Sequence, residues 1–309
     1  MHDAEDEFQH HHGHSHGHGH DHDHAHDDGH DHAHAHAHDH DLHHDHDHGH
    51  TRGAHEARAS GANGDVVVIR PATGISGDML LAGFARMAGF DAPELAAFID
   101  GLGLPIPPGS VDLVQRLVGD VAGWYCRVRL PDEHAHRTLA DVLGIIETSA
   151  MTDGAKRLAA ATFTLLAEAE GRVHLKPPAT VTFHEVGALD SILDICVVAA
   201  LHDFVAPAAV VCGPLPLCDG TVRCAHGLVP APAPAVLELL EGVSVRGLES
   251  TGETVTPTGI ALLKAMGATF GRWPAMTVSN RALVYGTKVF PNCPNGVVFV
   301  RGPLSRQAR

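Results

Sequence analysis

Two stretches of this chain carry side chains suited to holding a metal ion. The first is the N-terminal segment, where 23 of the 29 histidines lie within the first 55 residues. They run from His2 and the His10-His11-His12 cluster through alternating pairs to His43-His44 and His55, interleaved with Asp21, Asp23, Asp39, Asp41, Asp45 and Asp47. Neutral imidazole is a good ligand for nickel, zinc and copper, and short His-rich tracts read as metal-binding by composition. The carboxylates attract cations and raise the proton affinity of neighbouring imidazoles. Loading is therefore expected to weaken below roughly pH 6.5. A purification tag is usually an uninterrupted His run, which this is not; a low-complexity tail without a specific role is the plainer alternative. As a flexible chain the tract reaches roughly 40 Å, enough to deliver an ion to a folded body.

The second stretch is His184-Glu185-Val186-Gly187-Ala188-Leu189-Asp190-Ser191-Ile192-Leu193-Asp194. A helix starting near Gly187 stacks Asp190 and Asp194 at i,i+4 on one face, where like charges cost roughly 0.2–0.5 kcal/mol. The apolar flanks predict that this pair is not freely solvated, and a cation relieves the repulsion, with His184 and Glu185 completing its shell. The alternative is a polar helix face with Asp190 answering the helix dipole. Three further segments carry candidate chemistry. Gly74-Ile75-Ser76-Gly77-Asp78 sits between a strand and a helix, where backbone N–H groups point at an anion; a tight turn with Asp78 as the cap is the structural alternative. It lacks the ending of a Walker A loop. Cys212, Cys218, Cys224 and His226 share a Gly/Pro-rich stretch, and Cys224 with His226 offers softer ligands, although free cysteines are commonly buried small hydrophobes. Thr256-Pro257-Thr258 suits an N-cap with proline at the first helical position, and that helix end can face a phosphate. The candidate catalytic set is Ser76, Asp78, His184 and Glu185. Gly74, Gly77, Thr256 and Thr258 are candidate cofactor contacts.

The elements that must position these groups can be read from periodicity. Residues 1–64 form a His/Asp-rich tail and linker expected to be disordered, 65–302 a body, and 303–309 a short tail. Strands are expected at 65–69, 111–118, 121–130, 180–183, near 210, at 278–284 and at 297–300. Helices are expected from the 74–78 turn to Met87, after Pro93, and at 138–149, 153–172, 187–203, 235–240 and 257–266, with a loop over 212–234. Interleaved strands and helices give an α/β or mixed α+β fold, a layered sheet and helices preceded by the disordered His-rich tail. Fourteen acidic residues against Arg52 and Arg58 put −12 of the formal charge of −16 in residues 1–60. The body carries no basic stripe of the kind nucleic-acid binding needs. His202, Asp203 and Pro207 break the longest apolar stretch, which argues against a membrane span. The acidic N-terminus is no secretory signal. Six cysteines without CxxC pairs suggest the reducing cytoplasm rather than a disulfide scaffold.

In their order these motifs resemble the LarC family, which inserts nickel into the nickel-pincer nucleotide cofactor. The matching blocks are GISGDML at 74–80, HRTLADVLGIIETSAM at 136–151, LAEAEGRVH at 166–174, FHEVGALDSILDI at 183–195, PLPL at 214–217, CAHGLVPAPAPAVLELLEGV at 224–243 and TGETVTPTGIALLKAM at 251–266, with YG at 285–286 and PN at 294–295. The resemblance implies a nickel chelatase-type lyase acting on a pyridinium-3,5-bisthiocarboxylic acid mononucleotide in a CTP-dependent reaction, with Mg or Mn. The finished cofactor would serve a lactate racemase-type apoenzyme. Homo-oligomers are a further expectation. The family usually has Asp-Cys where this chain has Arg70-Pro71, and His where it has Thr182. Its full-length members continue into a CTP-associated C-terminal domain, so a separate polypeptide supplying that domain, or a reduced task, is expected here. A non-catalytic nickel or zinc chaperone and store is the alternative, and a metal-dependent phosphohydrolase using Asp78, Asp190 and Asp194 a remoter one.

Overall fold

A computed structural model of the chain describes residues 64–131, 136–183, 187–224 and 227–305. Strand β1 (Asp65–Pro71) leads through the 74–77 turn into helix α1 (Gly77–Ala88), followed by α2 (Ala92–Asp100). Strands β2 (Val111–Val118) and β3 (Val121–Val128) form a hairpin, and the short β4 (Arg137–Thr138) opens α3 (Leu139–Thr148). The long α4 (Asp153–His174), β5 (Thr182–Phe183), α5 (Leu189–Val205) and β6 (Ala209–Cys212) follow. After them come β7 (Leu215–Asp219), the hairpin β8 (Thr221–Cys224) and β9 (Gly227–Pro230), α6 (Pro234–Leu239) and β10 (Val245–Thr251). The chain closes with α7 (Pro257–Ala265), β11 (Thr269–Phe270), β12 (Asn280–Val284) and β13 (Val297–Pro303).

Seven strands make one mixed sheet in the order β11-β6-β1-β13-β12-β3-β2. The pairs β1–β6, β6–β11 and β12–β3 are parallel, while β13 runs antiparallel to both β1 and β12. Five strands therefore point the same way, and the C-terminal ends of β1, β12 and β3 open onto one edge. Such carboxyl-end crevices are where open α/β sheets place their ligands. The expected mixed α/β architecture is what the chain adopts. One expected element is corrected: the 212–234 loop contains β7 and the β8–β9 hairpin. Their strands are four or five residues long, and β7 pairs with the distant β10 rather than with a neighbour.

The main core lies between one sheet face and the helices. Val67 and Ile69 of β1, Ala282 and Val284 of β12, and Val297 and Phe299 of β13 enter it. Val66, Val68 and Val300 face the other side, against Met276. Helix α5 is buried nearly all round, with Ile192, Leu193 and Ile195 through Leu201 inside, as a central helix must be. Helix α1 follows its N-cap residue Ser76, carries Asp78 in its first turn, and is closed by Gly89, whose φ of 82° makes the left-handed C-cap. Arg86 of α1 sits 4.1 Å from the centre of the Trp124 ring on β3, fastening the helix across the sheet. Among the described residues, no helix is long and apolar enough to cross a membrane.

Gly83 shows how close that packing is. A Cβ there would stand 2.2 Å from Cζ of the fully buried Phe299 ring. Alanine in a helix interior normally gains about 1 kcal/mol over glycine, but overpacking a closed core costs about 1–3 kcal/mol. Gly83→Ala is expected to lower the melting temperature by about 2–8 °C, as followed by circular dichroism; an unchanged or raised value would contradict this packing.

Candidate functional site

The site is built where three helices start. The 74–77 turn lies against the segment entering α7: Ile75 N–H donates to Thr254 O at 3.0 Å, and Thr256 N–H donates to Ile75 O at 3.1 Å. A Cβ on Gly74 would fall 1.8 Å from Thr254 O, and one on Gly259 would fall 2.7 Å from Ile75 O. At Gly77 a Cβ would meet Asp194 Oδ2 at 2.3 Å. These glycines are required by close approach rather than by an unusual backbone angle. They bring the N-termini of α1, α5 and α7 to the rim of one cavity of about 510 Å³, at the C-terminal ends of β1, β3 and β12.

Most of the described candidate residues line this cavity: Gly74, Ser76, Gly77, Asp78, Asp190, Asp194, Thr256 and Thr258. Ser76 is the N-cap residue of α1, but its hydroxyl donates to Asp78 Oδ1 instead of capping the helix. Asp78 is therefore a first-turn residue, not the cap that the structural alternative made it. Its carboxylate accepts from the backbone N–H groups of Met79, Thr287 and Asp78 itself. Burial still outweighs these bonds and holds its pKa above the usual carboxylate range. Asp190 and Asp194 stand one turn apart on α5 as expected. Asp190 is exposed and accepts from Ser191 N–H at 2.7 Å. Asp194 is deeply desolvated, and among the described residues nothing donates a hydrogen bond to its carboxylate. Burial, then the charges of Asp78 and Asp190, push its pKa well above the ordinary value. Thr256 caps α7 as predicted, accepting from Gly259 N–H at 3.2 Å, with Pro257 at the first helical position.

Cys224 is elsewhere. It lies at the end of β8 beside a second, smaller cavity with Glu170, Arg223 and Pro257; Glu253 touches both cavities. Cys212 and Cys218 are buried on β6 and β7, so the three thiols do not gather as a ligand set, and all six cysteines are free. Burial pushes the Cys212 thiol up to about 12. His184, Glu185, His226, His10, His11, His12, His43 and His44 lie outside the described residues. Among the described residues, no group of three or more His, Cys, Asp or Glu side chains is arranged to hold a metal ion. Of the two departures from the expected family pattern, Arg70 turns away from the cavity, donating to Gly271 O at 2.8 Å over the Trp273 ring. Thr182 lines a separate small cavity with His136 and His174.

Sequence reasoning missed Cys126, Thr287 and Lys288, which also line the main cavity. The Cys126 thiol is buried on β3, and burial with the charges of Asp194 and Asp78 raises its pKa well above normal. Alternation along β3 was the available signal for its inward side; the carboxylates beside it come from helices far away in sequence. The cavity thus holds acids whose protons or charges need a partner. Bringing in a cation reverses the repulsion and favours their ionised forms.

The family model for nickel insertion protein matches residues 67–308. A nickel insertion protein of Geobacter metallireducens is 41% identical over 225 residues, covering 72% of this chain and 57% of that relative. One from Myxococcus xanthus is 40% identical over 234 residues, covering 74% and 58%. A relative from a Nocardioides species, named pyridinium-3,5-bisthiocarboxylic acid mononucleotide nickel insertion protein, is 39% identical over 222 residues, covering 72% and 56%. The chain thus spans less than three fifths of the length of these relatives. No solved structure matches it significantly.

The raised pKa of Asp194 has a consequence for stability. The native state holds this proton to higher pH than the unfolded chain does, so stability falls as pH rises from the ordinary carboxylate pKa through the raised native value. Asparagine, close in shape and uncharged, removes that dependence. With a chelator present, Asp194→Asn is expected to melt close to the wild type at about pH 4 and several degrees above it at neutral pH. A melting difference that does not grow with pH would contradict the burial of this carboxylate.

Proposed function

The chain belongs to the nickel insertion protein family, and from that premise we propose that it transfers nickel to a pyridinium-3,5-bisthiocarboxylic acid mononucleotide within the Asp78–Asp194 cavity. The observation that carries this reading is Asp194: a desolvated carboxylate without a hydrogen-bond donor among the described residues, aimed into a cavity of mononucleotide size. A poorly solvated charge of this kind is costly unless a cation arrives.

In this reading Asp78 and Asp194 hold the ion in passage, with Asp190 at the rim and His184 and Glu185 as further ligands. The His-rich tail, with His10, His11, His12, His43 and His44, loads it from solution, and Cys224 with His226 offers a softer stop on the way. Carboxylate oxygens are weak partners for nickel, whereas thiocarboxylate sulfurs are soft, so transfer to the substrate runs downhill. Forming the nickel–carbon bond breaks the ring C–H bond. A carboxylate vacated by the metal accepts that proton, and burial makes Asp78 and Asp194 readier bases than exposed acids. Ser76 orients Asp78 through its hydroxyl.

Gly74 and Gly77 let the turns approach, and Thr256 and Thr258 face the substrate at the start of α7. CTP, with Mg or Mn, is a co-reactant of the transfer. A lactate racemase-type apoenzyme receives the product, and the reaction takes place in the cytoplasm. A cavity sized for a small molecule favours insertion over a chaperone that only stores metal.

Purified chain supplied with the mononucleotide and nickel, with and without CTP, should yield the nickel-bearing product, read by mass spectrometry. Asp78→Asn with Asp194→Asn should lower that yield by ~10-fold or more, the effect of ~1.4 kcal/mol of weaker holding, while circular dichroism stays unchanged. Unaltered yield refutes the carboxylate site. Deleting residues 1–60 should reduce product at limiting nickel and leave it intact at high nickel. Loss at every nickel concentration contradicts the delivery role.

A further inference from the structure

The acidic end of the cavity accounts for the metal but not for the phosphate that a mononucleotide carries. We infer that Lys288, which lines the cavity together with Thr256 and Thr258 at the start of α7, binds this phosphate and sets the preference for a nucleotide over a nucleoside. The inference rests on the proposed reading that a mononucleotide occupies this cavity.

Among the described residues lining the cavity, Lys288 is the one basic side chain, set against Asp78, Asp190, Asp194 and Glu253. Despite that acidic company it makes no ion pair among the described residues. Its ammonium lies over the Phe290 ring, 4.5 Å from the centroid. It occupies the space left open at Gly252, where a Cβ would come within 2.8 Å of Nζ. Gly252 has a φ of +101°, which disfavours any other residue there, so the notch beside the ammonium is built into the backbone. A lysine kept from the carboxylates of its own cavity has its charge available for an anionic ligand.

The three helix starts decide which end of the cavity takes that anion. At α1 the Asp78 carboxylate already accepts from the amides of residues 78 and 79. At α5, Asp190 accepts from the first-turn amide of Ser191. An incoming phosphate at either would meet a like charge and filled amides. Helix α7 carries no acid in its first turn. Thr256 uses only its hydroxyl oxygen, as acceptor for Gly259, which leaves its O–H to donate, and Thr258 lines the cavity beside it. Glu253, on the same rim, is engaged in an interaction of its own. The ligand therefore lies with its phosphate toward Lys288 and α7 and its sulfur-bearing ring toward Asp78 and Asp194.

The test uses the full chain without nickel, and two probes: nicotinic acid mononucleotide and its dephosphorylated riboside. Calorimetric titration of the wild type should show the nucleotide binding more tightly than the riboside by about 10–100-fold, as expected for hydrogen bonds to a charged group. Lys288→Ala should remove most of that preference and leave riboside affinity as it was, and Lys288→Arg should keep it. Asp194→Asn should leave the preference in place. A wild type that does not discriminate, a Lys288→Ala variant that discriminates as well as the wild type, or one that weakens both probes equally overturns the assignment. So does inorganic phosphate alone binding as tightly as the nucleotide, which marks a free-anion site. An intact preference combined with failed nickel transfer overturns the proposed function and leaves this inference standing.

Discussion

The carboxylate of Asp194 rests against the amino end of α1 because position 77 has no side chain. With any Cβ there, Asp194 Oδ2 would be only 2.3 Å away, and either α5 or α1 would have to move. The same turn is clamped from the other side by the paired backbone bonds between Ile75 and the 254–256 segment. Three helix starts are thus fixed by two close approaches of main chain, and the cavity between them is the consequence. The acidic end of that cavity is set by rigid helix starts, which is what precise placement of reacting groups requires.

That geometry has an electrostatic cost. Desolvation raises the pKa of Asp78, and of Asp194 still more. An interior designed only for stability would put apolar groups there, as the rest of α5 does. Retaining two acids at this spot is the trade of stability for function expected where a protein must receive a cation and then release it. Tight, fully satisfied coordination would hinder release. The acidic end and the lysine end also divide the cavity by charge, so a ligand with one cation-seeking head and one anionic tail has a single favourable orientation.

Much of this was legible from local pattern. The apolar run at 65–69 followed by a glycine turn and an amphipathic segment gave β1 and α1, and alternation gave the β2–β3 hairpin, with β3 ending two residues before the expected Leu130. The i,i+4 spacing of Asp190 and Asp194 in an apolar setting pointed to a constrained pair. Other features depend on contacts distant in sequence. Residues 245–251 are mostly exposed and lack alternation, and they become β10 only by pairing with β7. Gly74 and Gly77 looked like turn glycines, and only the position of Thr254 and Asp194 reveals why nothing larger fits. Cys126 and Lys288 had no neighbouring motif; the sheet order brings the end of β3 and the segment after β12 to the turn that follows β1.

The central claim is that nickel and the mononucleotide meet in this one cavity. A crystal structure of the full chain with nickel and the pyridinium bisthiocarboxylate mononucleotide, with diffraction recorded at the nickel absorption edge, tests it most directly. The account predicts an anomalous peak beside the Asp194 carboxylate, with the substrate sulfurs on its open side. A nickel peak elsewhere on the body, with this cavity empty of metal and nucleotide, would contradict it.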